Sequence, residues 1–317
     1  MIVVPDDFPS VFEGSAAHEK ARALGAVRVY TERGAHDETE LARRIGAAQI
    51  AINIRAYTHF SDAVFRACPG LRLVSIWGTG TDNIDLDAAA RRGVTVCNTP
   101  GVNAIAVAEH AIALMLAVAR KIPAIDREMR DGAWPREMLT QLHGKTLGVF
   151  GTGSIGARVA ELGRAFGMTV LAWSARGELA RLKTTGDTAA SKQDILRRAD
   201  FISLHLRLTP ESRGFLGRHE FEAMKPTAIL VNTGRGALVD RDALLAALAG
   251  GAIAGAGLDV FHDEPVAAGD ALLGFANTVL SPHNAGQTPE VRRDGLLCAI
   301  ENAVNFLNGV PTNVVYP

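Results

Sequence analysis

Arg235, Glu264 and His283 are the residue types that together reduce a carbonyl standing beside a carboxylate. Arginine presents two parallel N–H donors in a planar fork that matches a carboxylate. Histidine exchanges a proton near neutral pH, and a carboxylate partner supports its charged form. Each of the three follows an apolar run: Arg235 after residues 228–232, Glu264 after 256–260, His283 after 278–281. Ligands of an open parallel sheet bind outside the carboxyl ends of its strands, so these residues would share one rim. A cation, an acid and an imidazole there would suit reduction of a 2-keto acid by hydride. His262, two residues from Glu264, is a rival for the acid/base role, whereas His110 on an alanine-rich stretch reads as a packing residue. Trp77 and Trp134 read as core or interface aromatics rather than substrate contacts.

A hydride needs a carrier, and the segment 145–174 supplies a site for one. An apolar strand (146–150) runs into G-T-G-S-I-G from Gly151 to Gly156, followed by an amphipathic helix (157–166) and a second apolar strand (168–173). With 32 glycines in the chain such a spacing arises by chance. Leaving a strand and opening a helix is what marks it as a dinucleotide site. Gly151 permits the tight turn, Gly153 lets amides approach a pyrophosphate, and Gly156 allows close helix–strand packing. The diphosphate would rest on free N–H groups at the positive end of the helix. NAD sites usually end the second strand with an acid for the ribose 2′-hydroxyl. Ser174 stands at that place here, with Arg176 two residues on. A missing carboxylate removes repulsion against a 2′-phosphate, and an arginine would bind it. The cofactor is therefore NAD or NADP, with NADP slightly favoured.

The elements that must position these groups alternate from end to end, short β-branched runs with alanine-rich helical patterns. That alternation is the mark of an α/β protein with parallel sheets. Strands at 2–4, 27–30, 50–54, 73–77 and 94–97 make one doubly wound, flavodoxin-like domain. Strands at 146–150, 169–173, 201–204, 228–232, 256–260 and 278–281 make a second, a Rossmann domain. A helix at 104–120 leads into the second, and an amphipathic helix at 290–307 is expected to cross back to the first. The Rossmann domain (100–284) is thus inserted in the flavodoxin-like one (1–99 plus 285–317), with hinges near 99–101 and 284–286.

Composition narrows the function. The chain is 48% hydrophobic and 21% charged, as for a globular protein. Its 33 basic and 34 acidic residues leave a net charge of −1, which offers no field for nucleic acid or an anionic membrane. Cys68, Cys97 and Cys298 are widely spaced, against a disulfide framework or a metal site and in favour of a reducing cytoplasm. The first residues read as a strand rather than a signal peptide, and the apolar stretch at 105–119 is too short to span a bilayer.

The strings V-N-T-G-R-G-A-L-V-D (231–240), G-L-D-V-F-H-D-E-P (257–265) and S-P-H-N-A-G (281–286), with the glycine motif and V-A-E (107–109), resemble the D-isomer-specific 2-hydroxyacid dehydrogenase family. The resemblance covers essentially the whole chain. It implies an enzyme moving hydride between NAD(P)H and a small 2-keto acid to give a D-2-hydroxy acid. Arg235 would orient the substrate, His283 would be the acid/base, and Glu264 would support its protonated form. The same resemblance implies pyrophosphate contacts at Ser154 and Ile155. It places Thr233 and Asp259 near the nicotinamide end, and His205 and Leu206 along the adenosine side. It puts Arg55, Gly78 and Thr79 on the substrate-carboxylate side and implies a homodimer through residues 104–120. Arg207 stands where the family commonly has proline, and the end at Pro317 leaves no room for a C-terminal regulatory domain. Formate dehydrogenases commonly carry glutamine where Glu264 stands. The alternative outside enzymes is a non-catalytic NAD(H)-dependent protein resembling the dehydrogenase-shaped corepressors. Which acid is used, nothing in the N-terminal half reveals.

Overall fold

Val, Ile and Leu runs of three to five residues form the strands, because parallel strands covered by helices on both sides bury both faces. In the computed structural model, which describes residues 1–55, 57–174 and 188–315, every ladder between strands is parallel. Two compact units emerge, Met1–Asn103 with Gln287–Pro317, and Ala104–Gly286.

The first unit holds β1 (Ile2–Val4), β2 (Val27–Val29), β3 (Ile50–Asn53), β4 (Leu73–Ile76) and β5 (Thr95–Cys97) in the order β2-β1-β3-β4-β5. Helices α1 (Ala16–Ala23), α2 (Glu38–Ile45), α3 (Asp62–Ala67) and α4 (Leu86–Arg91) connect them. Each starts at an oxygen-bearing side chain, Ser15, Asp37, Ser61 or Asp85, which accepts a first-turn N–H. One face of the sheet packs Val3, Leu41, Ile45, Phe60, Phe65 and Val74. The other packs Ile2, Val4, Ile52 and Leu73 against Leu296, Ala299, Ile300 and Ala303 of the tail helix.

The second unit begins with α5 (Ala104–Ala119) and α6 (Ile122–Arg130). It continues through β6 (Thr146–Phe150), α7 (Ser154–Ala165), β7 (Thr169–Trp173), β8 (Thr188–Ala189), α8 (Lys192–Arg198) and β9 (Phe201–Leu204). Then come α9 (Arg218–Ala223), β10 (Ile229–Asn232), α10 (Arg241–Ala249), β11 (Gly255–Leu258) and β12 (Thr278–Leu280). Its sheet runs β12-β11-β10-β9-β6-β7-β8. One strand more is present than the apolar runs predict, because β8 is two exposed residues at the edge and carries no hydrophobic signal. Helix α6 was likewise unpredicted, having no buried residue to impose a pattern. Helix α7 starts at Ser154 rather than at Ala157, since Gly153, extended at φ −67° and ψ −170°, is already its N-cap.

The tail helix α11 (Pro289–Leu307) belongs to the first unit. Ser75 Oγ donates to Ala299 O at 2.8 Å, and the fully buried Asn302 donates from Nδ2 to Asn98 O at 2.9 Å. Among the described residues no helix is long and apolar enough to cross a membrane.

Candidate active site

Strand order in the second sheet reverses at β6, which lies between β7 and β9, the kind of switch point outside which open α/β sheets bind ligands. The segments that follow β6 and β9 meet closely. His205 N–H donates to Phe150 O at 2.7 Å, and a Cβ on Gly151, whose φ is 99°, would lie 2.4 Å from His205 O. On Gly156 a Cβ would lie 1.8 Å from Gly151 O, so the helix meets the turn only without a side chain. Gly153 differs: a Cβ there meets nothing within 4 Å. The first turn of α7, with the amides of Ser154 and Ile155, carries no side-chain cap. An uncapped helix start beneath open space is a cradle fit for a pyrophosphate.

Ser174 follows β7 half-buried, and Arg176 lies outside the described residues. On the other side of β6, His205 is a half-buried residue whose Nε2 lies 2.8 Å from the buried Ser203 Oγ. Burial pushes its ring down to about 3, so it stays neutral at neutral pH. Leu206 beside it packs against the core of this sheet face.

The three candidates of the chemistry come from loops after neighbouring strands. Arg235 follows β10 and leads into a short 3₁₀ turn, Gly236–Leu238. Its carbonyl accepts from Asn232 Nδ2 at 2.9 Å, and its Nη1 donates to Gly234 O at 2.8 Å. Glu264 lies beyond β11 and His283 beyond β12. His283 Nδ1 and Glu264 Oε2 are 2.7 Å apart, which leaves the imidazole Nε2 on the far side of the ring. Glu264 Oε1 also accepts the N–H of Phe261 at 3.0 Å. Burial alone would raise this carboxyl. The bonds from His283 and Phe261 and the charges of His283 and Arg235 outweigh it and hold Glu264 below the usual glutamate range. His262 is exposed and turns elsewhere, lining a groove of about 330 Å³ with Arg213, Asp240 and Arg241.

Behind His283 lies a polar cluster built on Asp259, whose other members, Ser281 and His110, sequence reasoning did not assign to the site. Asp259, 1% exposed, accepts from Ser281 Oγ at 2.6 Å and from the amides of Asn284 and Ala285 at 3.0 Å each. His110, read from the sequence as a packing residue, has its Nε2 2.8 Å from Ser281 Oγ, which ties α5 to this cluster. It is 171 positions from Ser281 in the chain, and only its neighbourhood to the V-A-E string pointed to it. Thr233 Oγ1 is buried without a hydrogen-bond partner among the described residues, as expected of an atom awaiting a ligand.

The remaining candidates lie at the carboxyl edge of the first sheet. Arg55 follows β3 and donates from Nη2 to Pro9 O, while its buried Nε has no partner among the described residues. Gly78 follows β4 at φ 143°, its N–H donating to Thr99 Oγ1 at 2.8 Å, and Thr79 O accepts from Asn98 Nδ2 at 2.8 Å. Trp77 packs against α11, where a Cβ on Gly295 would lie 2.3 Å from its Nε1. Among the described residues no cluster of His, Cys, Asp or Glu has the makings of a metal site.

The family model for the NAD binding domain of D-isomer specific 2-hydroxyacid dehydrogenases matches residues 112–285. The chain is 45% identical over 273 residues to a glyoxylate reductase of Aeropyrum pernix, covering 82% of each chain. It is 40% identical over 274 residues to a D-3-phosphoglycerate dehydrogenase of Archaeoglobus fulgidus, covering 86% of this chain but about half (52%) of that protein. Among solved structures, an acyclic imino acid reductase in complex with NADPH and D-Arg is similar at a TM-score of 0.91, with 29% identity and 99% of both chains covered. Fold, glycine cradle, paired acid and imidazole, and these likenesses agree: the chain belongs to the D-isomer-specific 2-hydroxyacid dehydrogenase family and is an NAD(P)-dependent oxidoreductase.

Proposed function

We propose that this dehydrogenase reduces a small 2-keto acid of the glyoxylate type to its D-2-hydroxy acid. The observation that carries the reading is the 2.7 Å pair of Glu264 and His283 on the rim that also bears Arg235. Arg235 grips the substrate carboxylate through its guanidinium fork and aligns the ketone. His283 gives a proton from Nε2 to the ketone oxygen, and takes it back in the reverse direction. Glu264, negative at neutral pH, holds Nδ1–H and balances the imidazolium. The bound reduced nicotinamide supplies the hydride to C2. Arg55, Gly78 and Thr79 are the first unit's contacts for the substrate carboxylate.

For the cofactor, Gly151, Gly153, Ser154, Ile155 and Gly156 hold the diphosphate, and Thr233 and Asp259 serve the nicotinamide end. His205 and Leu206 line the adenosine side. Ser174, with Arg176, favours NADP over NAD; the imino acid reductase relative holds NADPH, while a D-lactate dehydrogenase relative holds NAD. The protein works as a homodimer: Ile105, Ile122, Trp134 and Met138 are 60%, 55%, 73% and 97% exposed, apolar side chains that a second copy would cover. Its free cysteines support a reducing compartment, the cytoplasm.

The test is turnover of glyoxylate, hydroxypyruvate and pyruvate with NADPH and with NADH. Steady oxidation of either nicotinamide with glyoxylate supports the reading, and a higher kcat/KM with NADPH supports the cofactor choice. No turnover of any of the three acids would overturn the substrate class. A hundredfold preference for NADH would rule out the phosphate pocket.

A further inference from the structure

We infer that His110 is a positioning residue for the acid His283 and acts on it through Ser281 and Asp259. The inference rests on His283 being the proton donor. His283 has φ 51°, a left-handed conformation that residues other than glycine rarely adopt, so its backbone must be held from outside. Asp259 does the holding. Its carbonyl accepts the N–H of His283 at 2.8 Å, its Oδ1 the N–H of Asn284, and its Oδ2 the N–H of Ala285, both at 3.0 Å.

A proton inventory then assigns His110. A carboxylate accepts only, and a hydroxyl has one hydrogen to give. At 2.6 Å from Asp259 Oδ1, Ser281 spends that hydrogen on the carboxylate. Its contact with His110 Nε2 at 2.8 Å must therefore be one in which Ser281 accepts and His110 donates. The same Nε2 lies 3.5 Å from Asp259 Oδ1. The N–H of His110 thus ties α5 to the loop that presents the acid. Without it Ser281 is held only by its bond to Asp259, the clamp on residues 283–285 loosens, and the imidazole loses its aim. A displacement of about 1 Å at a reacting group costs on the order of 10²-fold in rate.

Kinetics are compared for the wild type, His110→Phe, His110→Gln, Ser281→Ala and His283→Ala, with whichever of glyoxylate, hydroxypyruvate and pyruvate is turned over fastest. His110→Phe fills the space without a donor and should lower kcat about 10- to 100-fold. His110→Gln keeps an N–H near the position of Nε2 and should recover most of that loss. Ser281→Ala, a deletion of one hydroxyl, should lower kcat similarly and serves if the phenylalanine variant does not fold. Adding His110→Gln to Ser281→Ala should then lower kcat no further. Independently of activity, nitrogen-15 spectra of histidine-labelled protein should show His110 protonated at Nε2. Wild-type kcat in His110→Phe and in Ser281→Ala, no recovery by glutamine, or an unprotonated Nε2 would each overturn the inference. Turnover retained by His283→Ala would remove the acid assignment itself and the inference with it, an outcome distinct from the others.

Discussion

Gly153→Ala should separate the cofactor cradle from the scaffold beneath it. The residue sits at φ −67° and ψ −170°, backbone that alanine adopts without strain, and its Cβ would meet nothing within 4 Å. Folding should not suffer, because a compatible Gly→Ala change usually adds about 0.4–1 kcal/mol by restricting the unfolded chain. The added methyl nevertheless stands in the open space over the start of α7, where a diphosphate must approach the amides. Losing one hydrogen bond to a charged group there would weaken binding by about 1.5–3 kcal/mol, or about 10- to 150-fold in Kd. Gly156→Ala should behave in the opposite way. Its Cβ would lie 1.8 Å from Gly151 O, so backbone must shift, and overpacking of this kind destabilises by about 1–3 kcal/mol or more. Calorimetric titration with NADPH and NADH, beside urea unfolding of the apoproteins, reads both quantities. Wild-type Kd in Gly153→Ala, or equal destabilisation by the two alanines, would refute the division of labour.

His283→Ala should depress kcat by about 10²–10⁴-fold, the usual range for acid catalysis, while nicotinamide binding by fluorescence titration stays near wild type. Ser174→Asp restores a carboxylate at the end of β7 and should shift the NADPH-to-NADH ratio of kcat/KM towards NADH by at least about tenfold, or ~1.4 kcal/mol. An unmoved ratio would count against a 2′-phosphate at that place. Asp200, its side chain 18% exposed, accepts from Thr146 N–H and from Lys225 at 2.8 and 2.9 Å, and pins the start of β6. Burial alone would raise its carboxyl, but those partners hold it below the ordinary 3.8. Its stabilisation is therefore complete above that value and lost as pH falls through the lower folded one. Asp200→Asn should cost about 1–3 kcal/mol at neutral pH. The gap to wild type should be the same at about pH 5 as at neutral pH and narrow progressively as pH falls below the ordinary 3.8 towards the lower folded value, and a gap that does not narrow in acid would contradict the pairing.

Much of the fold was legible because its signals are local. Runs such as I-V-V and L-V-S-I are apolar throughout and bounded by turns, so β1 and β4 declare themselves from adjacent residues. β8 escaped because an edge strand of two exposed residues buries nothing. The start of α7 was misplaced by three residues because a glycine N-cap bears no capping side chain, so the usual Ser, Thr, Asp or Asn signal is missing. Arg235, Glu264 and His283 were nameable because each follows a readable strand. The partner of Glu264 was not so clear, since His262 is nearer in sequence and of the same chemistry.

Sequence alone determined the residue types on the rim, the glycines of the nucleotide turn and the alternation that makes two parallel sheets. These are consequences of side-chain chemistry and backbone freedom at neighbouring positions. That Glu264 pairs with the imidazole 19 residues away rather than the one two residues away came from the family resemblance and not from spacing; tertiary structure alone decided that His110 reaches Ser281 from another helix. Such pairings follow from strand order and from where each loop leaves its strand, and separation along the chain carries no information about either.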